Sequence, residues 1–321
     1  MRARLLAATA IAPALWGTTY IVTTELLPEG RPLLAAALRA LPAGLAVLAI
    51  TRTLPTGSWW WRSLVLGVLN FGAFFSFLFT AAYRLPGGVA ATIGAVQPLI
   101  VMALAARLLG ERAGPARYTA ALVGIGGVAL LVLDGGARLD AVGIAAALIG
   151  AMSMAIGNVL VQRWGRPTRP LVFAGWQLTA GGVLLLPIAL VAEGPPGQLT
   201  TSNLLGYAYL ATAGGAVAYT LWFRGITALG ARDVTFLGLL SPTVATAIGV
   251  ATGDPFGPAQ LAGGLVVLAS VTAVQLLPSR RRIERVRPHA APDRPHPAQP
   301  TTCPARATSL TVATAMTRVN T

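Results

Sequence analysis

Two pairs of residues interrupt apolar stretches in the same way, although they lie 144 positions apart in the chain. Gln97-Pro98 stands inside the stretch GAVQPLIVMALAARLLGER (94–112), and Ser241-Pro242 is its counterpart. Proline removes a backbone hydrogen bond from a helix and pushes against the preceding turn. The prolines therefore predict one of two things: kinks that open a cavity with free acceptors, or packing kinks that neighbouring helices satisfy.

Arg39 is the ionised side chain that lies well inside an apolar stretch, seven residues after Pro32. A charge at the centre of a bilayer costs several kcal/mol, so an arginine at this depth should face protein or water. Such a residue could bind a substrate carboxylate. Its depth of about 10 Å also permits the alternative that it snorkels to the membrane interface.

Further polar or amphipathic side chains lie within the apolar stretches. Trp16 and Asn158 lie mid-helix in spans that correspond between the two halves, which makes them candidates to line a cavity, whereas Trp222 is typical of an interfacial aromatic belt. Gln97 and Ser241 are expected to face the bundle interior, where they contact a substrate or bond another helix. The predicted substrate-binding residues are Trp16, Tyr20, Arg39, Gln97, Pro98, Asn158, Trp176, Gln177, Tyr219, Ser241 and Pro242.

The composition indicates that most of the chain lies in lipid. Of its 321 residues 55% are hydrophobic and 11% are charged, and the mean hydropathy is +0.69. Soluble domains carry about 25% charged residues. The net charge of +14 does not indicate nucleic acid, because eight of the 24 basic residues follow Pro278 and most others occupy short gaps. Cys303, His289 and His296 all lie in the tail, so the membrane part has no disulfide framework or Cys/His metal site, and no cofactor is predicted.

The apolar stretches divide into ten candidate spans of roughly 20 residues, the length that crosses a bilayer as a helix. Helix is required because a backbone in lipid must satisfy its own polar groups. A first span is preferred over a signal peptide, since no convincing cleavage site follows it. The spans are 5–27, 32–51, 63–83, 88–109, 117–134, 140–161, 170–191, 204–223, 233–252 and 259–277.

The arginines predict which side of the membrane each gap faces. If the N-terminus is cytoplasmic, twelve arginines lie in inner gaps and three lie in outer gaps, and the alternation holds across all ten spans. Both termini are therefore predicted in the cytoplasm of a bacterial cell, with the chain as a multi-pass protein of its inner membrane.

The two halves of the chain resemble each other. Pro98 matches Pro242, Ala43-Gly44 matches Ala180-Gly181, and further matches follow in the same order at offsets of 137 to 144. Each half contains five spans, an odd number, so the second half must enter the membrane in the opposite direction. The predicted fold is all-α and integral to the membrane, with ten transmembrane helices in two inverted five-helix repeats. Such repeats are typical of secondary transporters.

These boundaries give three predicted regions. Residues 5–134 form the first repeat and residues 140–277 the second. Residues 279–321 are rich in Arg and Pro and are predicted to be a disordered cytoplasmic tail. Its arginines act either as a stop-transfer run or as a contact to anionic lipid headgroups.

Specific motifs also resemble those of one known family. ALWGTTYIV (14–22), LRALPAGL (38–45) and the run from Phe79 to Leu133 resemble the drug/metabolite transporter superfamily, and within it the ten-helix EamA transporters. The most specific element is the spacing from Pro98 to LGE at 109–111. The second copy departs from this pattern with Thr-Gly-Asp at 252–254. The resemblance implies transport of small polar metabolites, often amino acids or related compounds, commonly outward.

Three classes of function compete on these grounds. A secondary transporter working by alternating access explains the inverted repeat. A membrane enzyme would need clustered acids, bases or metal ligands, and a sensor leaves the repeat unexplained. We therefore expect a non-enzymatic transporter whose partners are a polar metabolite and the bilayer. The substrate, the direction, the coupling ion and a homodimer stay open. No Asp or Glu lies deep within a span, which weakens a proton-coupled mechanism.

Overall fold

The computed structural model describes residues 2–110, 114–133, 140–229, 237–253 and 257–276, and all regular structure in these ranges is helical. The predicted tail and the first residues of the predicted ninth span lie outside the described residues. In the described part, seven helices are long and apolar enough to cross a membrane, and three shorter apolar helices lie at the positions of the fifth, ninth and tenth predicted spans. The ten-span, all-α fold is thus confirmed.

The helices follow the predicted order, with two spans interrupted by short π-helical segments. These segments, Val68–Ala73 and Thr212–Val217, are named π1 and π2. The α-helices are α1 (Arg2–Gly17), α2 (Thr19–Leu26), α3 (Pro32–Thr51), α4 (Trp59–Gly67), α5 (Phe74–Ala82), α6 (Gly87–Gly94), α7 (Gln97–Leu108), α8 (Pro115–Leu133), α9 (Ala141–Trp164), α10 (Pro170–Ala192), α11 (Thr201–Ala211), α12 (Ala218–Leu229), α13 (Leu240–Ala251) and α14 (Pro258–Leu276).

Two predicted spans of the first half are divided by a short turn. The first is divided at Thr18 into α1 and α2, and the fourth is divided at Ala95-Val96 into α6 and α7. Pro98 is consequently in the first turn of α7, where its missing N–H costs nothing and its fixed φ suits a helix start. The kink predicted at Pro98 therefore takes the form of a short turn just before the proline. Whether it opens a cavity or only serves packing stays a prediction.

The two halves contact each other through equivalent helices. The second span of each half, α3 and α10, pack together, as do the fifth spans α8 and α14. The contacts between α3 and α10 are reciprocal, because Leu41 of α3 packs on Gly182 of α10 and Thr179 of α10 packs on Gly44 of α3. Leu41 and Thr179 are 138 positions apart, and Gly44 and Gly182 are also 138 positions apart. Such reciprocity is the mark of a two-fold relation between similar units.

Glycines allow this close approach. A methyl group added at Gly182 would lie 2.7 Å from the backbone of Leu41, and one added at Gly44 would lie 2.5 Å from the Thr179 amide nitrogen. Small residues at helix crossings permit close backbone packing in membranes, where van der Waals contact drives association. The α3–α10 pair therefore forms a tight seam between the halves.

Charged residues join the halves at the end of the bundle where α3 begins. Both Glu193 carboxylate oxygens accept hydrogen bonds from the first turn of α3, at 2.7 Å from Leu33 N and 2.9 Å from Leu34 N. Asp140 caps α9 by accepting from the Gly143 amide, and Arg84 pairs with it at 3.0 Å. The Gly143 amide, with Arg84 as a smaller contribution, holds the pKa of Asp140 below its ordinary value.

Candidate functional site

Arg39 lies inside the bundle and is 3% exposed, so it does not snorkel to the interface. Its Nη1 donates to the Thr19 hydroxyl at 2.8 Å, and its Nη2 donates to the Gly214 carbonyl oxygen at 3.4 Å. Thr19 belongs to α2 of the first half and Gly214 to π2 of the second half. The guanidinium therefore bridges the two repeats through neutral acceptors.

Aromatic rings cover the same guanidinium. Its carbon lies 4.7 Å from the ring centre of Phe75 and 5.9 Å from that of Phe79, and both rings are buried. A desolvated arginine over a ring face gains about 2 kcal/mol or more from the cation–π interaction. Tyr20 and Tyr219 also lie within electrostatic range of Arg39. These rings and neutral acceptors offset part of the cost of burying the charge.

The Gly214 carbonyl oxygen, which lies in π2, accepts hydrogen bonds from two side chains. A π-helical segment departs from the α-helical register, and such segments frequently occur at functional sites. The Trp16 indole N–H donates to this carbonyl at 3.1 Å, beside the Arg39 bond. The Trp16 ring packs against Tyr219 and Trp222 at 5.3 and 5.1 Å between centres. Trp16, Arg39 and Tyr219 therefore meet at one site, called here the Arg39 cluster together with Thr19, Phe75 and Gly214.

The second half contains an equivalent polar contact without a charge. Gln177 follows Pro170 by seven residues, as Arg39 follows Pro32. The Gln177 side-chain oxygen accepts from the Asn70 amide group at 2.8 Å. Asn70 belongs to π1, and it lies 144 positions before Gly214. Each second span thus reaches the π-helical segment of the opposite half.

The first spans take part in the same arrangement. Trp16 of α1 donates to the π2 carbonyl of Gly214, and Ser153 of α9 donates to the π1 carbonyl of Leu69 at 2.8 Å. Two similar polar sites therefore connect the repeats, one around Arg39 and one around Asn70 and Gln177. The main chemical difference between them is the guanidinium.

A cavity of about 280 Å³ opens between the end of α1, α2, the segment joining α5 to α6, and α13. Tyr20 lines this cavity and also lies within electrostatic range of Arg39. Glu25 and Arg84 stand at the exposed part of the wall.

Several predicted site residues lie away from this cluster. The Trp176 indole N–H donates to the Thr53 carbonyl oxygen at 2.7 Å, and its ring belongs to a separate hydrophobic cluster with Leu66 and Phe173. Asn158 is half-buried, and it makes no hydrogen bond to another described residue. Neither Trp16 nor Asn158 is among the residues that line the described cavity.

Gln97, Pro98, Ser241 and Pro242 mark equivalent breaks in the two halves. α7 begins at Gln97 and α13 begins at Leu240, each after a short turn. The amide of Ser241 donates to the Gly238 carbonyl at 3.1 Å, so the turn itself uses that carbonyl. α13 packs against α1, and α7 packs against α9, so each broken span contacts the first span of the opposite half.

Sequence reasoning overlooked several members of the two polar sites. Thr19 and Asn70 are polar residues inside apolar stretches, which is the signal that could have found them. For Phe75 and Phe79 the sequence predicts packing or lipid contact; they do pack, but their faces also cover Arg39. Gly214 acts through its backbone carbonyl, and the residue type alone does not predict such a role.

An all-α bundle of ten membrane spans, built from two inverted halves with polar side chains meeting between them, is the architecture of a secondary transporter. The chain belongs to the EamA-like transporter family, whose model matches it twice, at residues 4–133 and 141–275. It is therefore a membrane transporter of the drug/metabolite transporter superfamily.

Similar proteins support the same family. Protein PecM of Dickeya dadantii is 44% identical over 280 residues, which cover 86% of this chain and 94% of PecM. A WAT1-related chloroplastic protein of Arabidopsis thaliana is 31% identical over 276 residues, which cover 81% of this chain and 66% of that protein. One crystal structure aligns with a TM-score of 0.60 over 85% of this chain and 96% of its own, and its 21% identity shows the fold alone.

Proposed function

We propose that the chain is a bacterial inner-membrane secondary transporter that exports small polar metabolites, such as amino acids or related compounds, by alternating access. The observation that carries this proposal is the pair of equivalent polar sites, the Arg39 cluster and the Asn70–Gln177 contact. Each joins the two halves, and a substrate between the halves would contact one or both. No described Asp or Glu takes part in either contact.

The depths of the two sites support alternating access. Arg39 and Gln177 each lie seven residues, or about 10 Å, from the start of their helices. Because the halves are inverted, these starts face opposite sides of the membrane. One polar site therefore lies nearer to each surface, and opening either site would expose the space between them to that side.

The arginine distribution supports an assignment of each polar site to one side of the membrane. With both termini in the cytoplasm, the Arg39 cluster and the cavity lined by Tyr20 lie nearer to the outside, and the Asn70–Gln177 contact lies nearer to the cytoplasm. One chain contains both halves of the site, so transport needs no second copy. A homodimer stays a prediction.

We assign different roles to the predicted site residues. Trp16, Tyr20, Arg39 and Tyr219 would contact the substrate from the outer side, and Gln177 and Asn158 from the inner side. The breaks at Gln97-Pro98 and Ser241-Pro242 would act as hinges, because helix ends at turns absorb backbone changes with few lost hydrogen bonds. The distance of Trp176 from the Arg39 cluster favours packing for that residue.

A growth-protection screen tests the proposed function. Cells that overexpress the full chain are grown with toxic metabolites and amino acid analogues, and survivors are assayed for efflux of the compound. We expect protection against a narrow group of compounds, lost in the variants Gln97→Ala and Pro98→Ala. If no compound is exported faster than from control cells, the proposed function is wrong. If the hinge variants export normally, the roles of Gln97 and Pro98 are wrong.

A further inference from the structure

Among the residues that the structure describes, the charge of Arg39 has no carboxylate partner. It is buried, and it makes no ion pair with any described Asp or Glu; its acceptors are the Thr19 hydroxyl and the Gly214 carbonyl. Arginine stays protonated in proteins. Polar and charged residues within membranes normally pair with one another or mark a substrate pathway. A buried cation whose described partners are all neutral is therefore a site that attracts an anion.

The guanidinium also has unused donors. It carries five N–H groups in a fixed fork, and the two hydrogen bonds above use two of them. The Nε atom is buried and has no acceptor in the part of the chain that the structure describes. A buried donor that lacks an acceptor destabilises the structure unless something fills the place. A carboxylate bonded to Nε and one terminal nitrogen would satisfy this edge in the bidentate geometry that arginine favours.

The second repeat shows that the fold does not need this charge. Gln177 stands at the equivalent place of α10 and joins π1 of the opposite half through Asn70, with neutral groups alone. A glutamine can therefore link a second span to the π-helical segment of the opposite half. This link does not require the positive charge of Arg39, so the charge needs a separate explanation.

We propose that Arg39 binds the carboxylate of the transported compound, and that this compound is an organic acid of net charge −1. This inference rests on the proposed function and narrows its substrate class. A zwitterionic amino acid fits less well, because no described carboxylate lies beside Arg39 to receive an ammonium group. The apolar part of the acid would lie against the rings of the Arg39 cluster.

The charge of the substrate supplies the driving force. A cell interior is negative, so an anion moves outward down the membrane potential. The potential contributes about 2.3 kcal/mol per unit charge at 100 mV, which corresponds to an outward concentration ratio of about 50-fold. Export of a monoanion therefore needs no coupled proton, in keeping with the absence of a described Asp or Glu from the two polar sites.

Vesicles loaded with a small-molecule extract of bacterial cytoplasm test the inference while the substrate is still unidentified. The full chain is reconstituted, a potassium gradient with valinomycin sets the potential, and released compounds are identified by mass spectrometry. Wild type is compared with empty vesicles, Arg39→Gln and Arg31→Gln. Arg39→Gln copies the residue found at the equivalent place, so we expect it to fold. Arg31→Gln removes one charge near the start of the same helix, and each variant's thermal stability is measured.

We expect compounds released through the wild type to be carboxylates of net charge −1. At equilibrium, the ratio of their outside to inside concentrations should rise about 50-fold as the outside is made positive by 100 mV. Their release should be lost in Arg39→Gln and should persist in Arg31→Gln. Neutral or cationic compounds, or equal release by stably folded Arg39→Gln, would overturn the anion inference while leaving transport intact. No release above empty vesicles would instead overturn the proposed function and the inference with it. If Arg39→Gln fails to fold, the inference is still tested by the net charge of the compounds that the wild type releases and by the dependence of that release on the membrane potential.

Discussion

Substitution of Gly182 by alanine should weaken the seam between the two halves. The added methyl group would lie 2.7 Å from the Leu41 backbone, whereas ordinary contacts begin near 3.4 Å. The shortfall of about 0.7 Å cannot be met by rotating a side chain, so α3 and α10 must separate. Overpacking of this kind costs about 1–3 kcal/mol. We expect the melting temperature of the purified protein in detergent to fall by several degrees.

The two-fold relation sharpens this prediction. Gly44→Ala makes the reciprocal clash with Thr179, so its loss of stability should be similar to that of Gly182→Ala. The double variant should lose less than the sum, because one separation of α3 from α10 relieves both contacts. Gly126→Ala is the matched control, since a methyl group there meets no described atom within 4 Å. Equal melting temperatures for Gly182→Ala and Gly126→Ala would refute this account of the seam.

Three further predictions concern single contacts. Glu193→Ala removes both acceptors at the start of α3 and should lower the free energy of unfolding by about 1–2 kcal/mol, whereas Glu29→Ala in the preceding loop should change it little; equal melting temperatures would contradict the cap. Because the pKa of Asp140 is lowered in the folded protein, its ionised carboxylate stabilises the fold at pH values above 3.8, the ordinary pKa of the group. This contribution is lost as the pH falls below that value. Asp140→Asn should therefore show a smaller drop in melting temperature than the wild type between about pH 7 and about pH 3; an unchanged drop would contradict this. Trp176→Phe should cost about 1 kcal/mol through the lost bond to Thr53 without changing which compounds are exported, and altered selectivity in the efflux assay would place Trp176 in the site.

The repeat was predictable because proline and glycine leave a direct mark on the sequence. Pro98 and Pro242 revealed equivalent positions, and the structure shows that both stand in the first turn of a helix after a break. The form of the break at Pro98 was not predictable, because proline at a helix start and proline in a helix interior look alike in one sequence. The choice depends on the residues packed around the turn, which a local pattern does not contain.

The Arg39 cluster was only partly predictable. The depth of Arg39 within its span showed that the residue was unusual, and the arrangement of neighbours decided between the interior and the interface. The roles of Phe75 and Gly214 depend on contacts between distant spans and on a π-helical segment. No residue type distinguishes a π-helical turn from the α-helix around it, so these contacts could not be read from composition or spacing.

The central claim is that Arg39 belongs to the substrate site of a transporter. Its most direct test is the initial rate of export, from vesicles containing the purified full chain, of a compound selected by the growth screen. We predict that Arg39→Gln lowers this rate about 10- to 100-fold, the effect of losing a charge-assisted hydrogen bond of about 1.5–3 kcal/mol, while the melting temperature stays close to that of the wild type. Export by Arg39→Gln at the wild-type rate would contradict the claim.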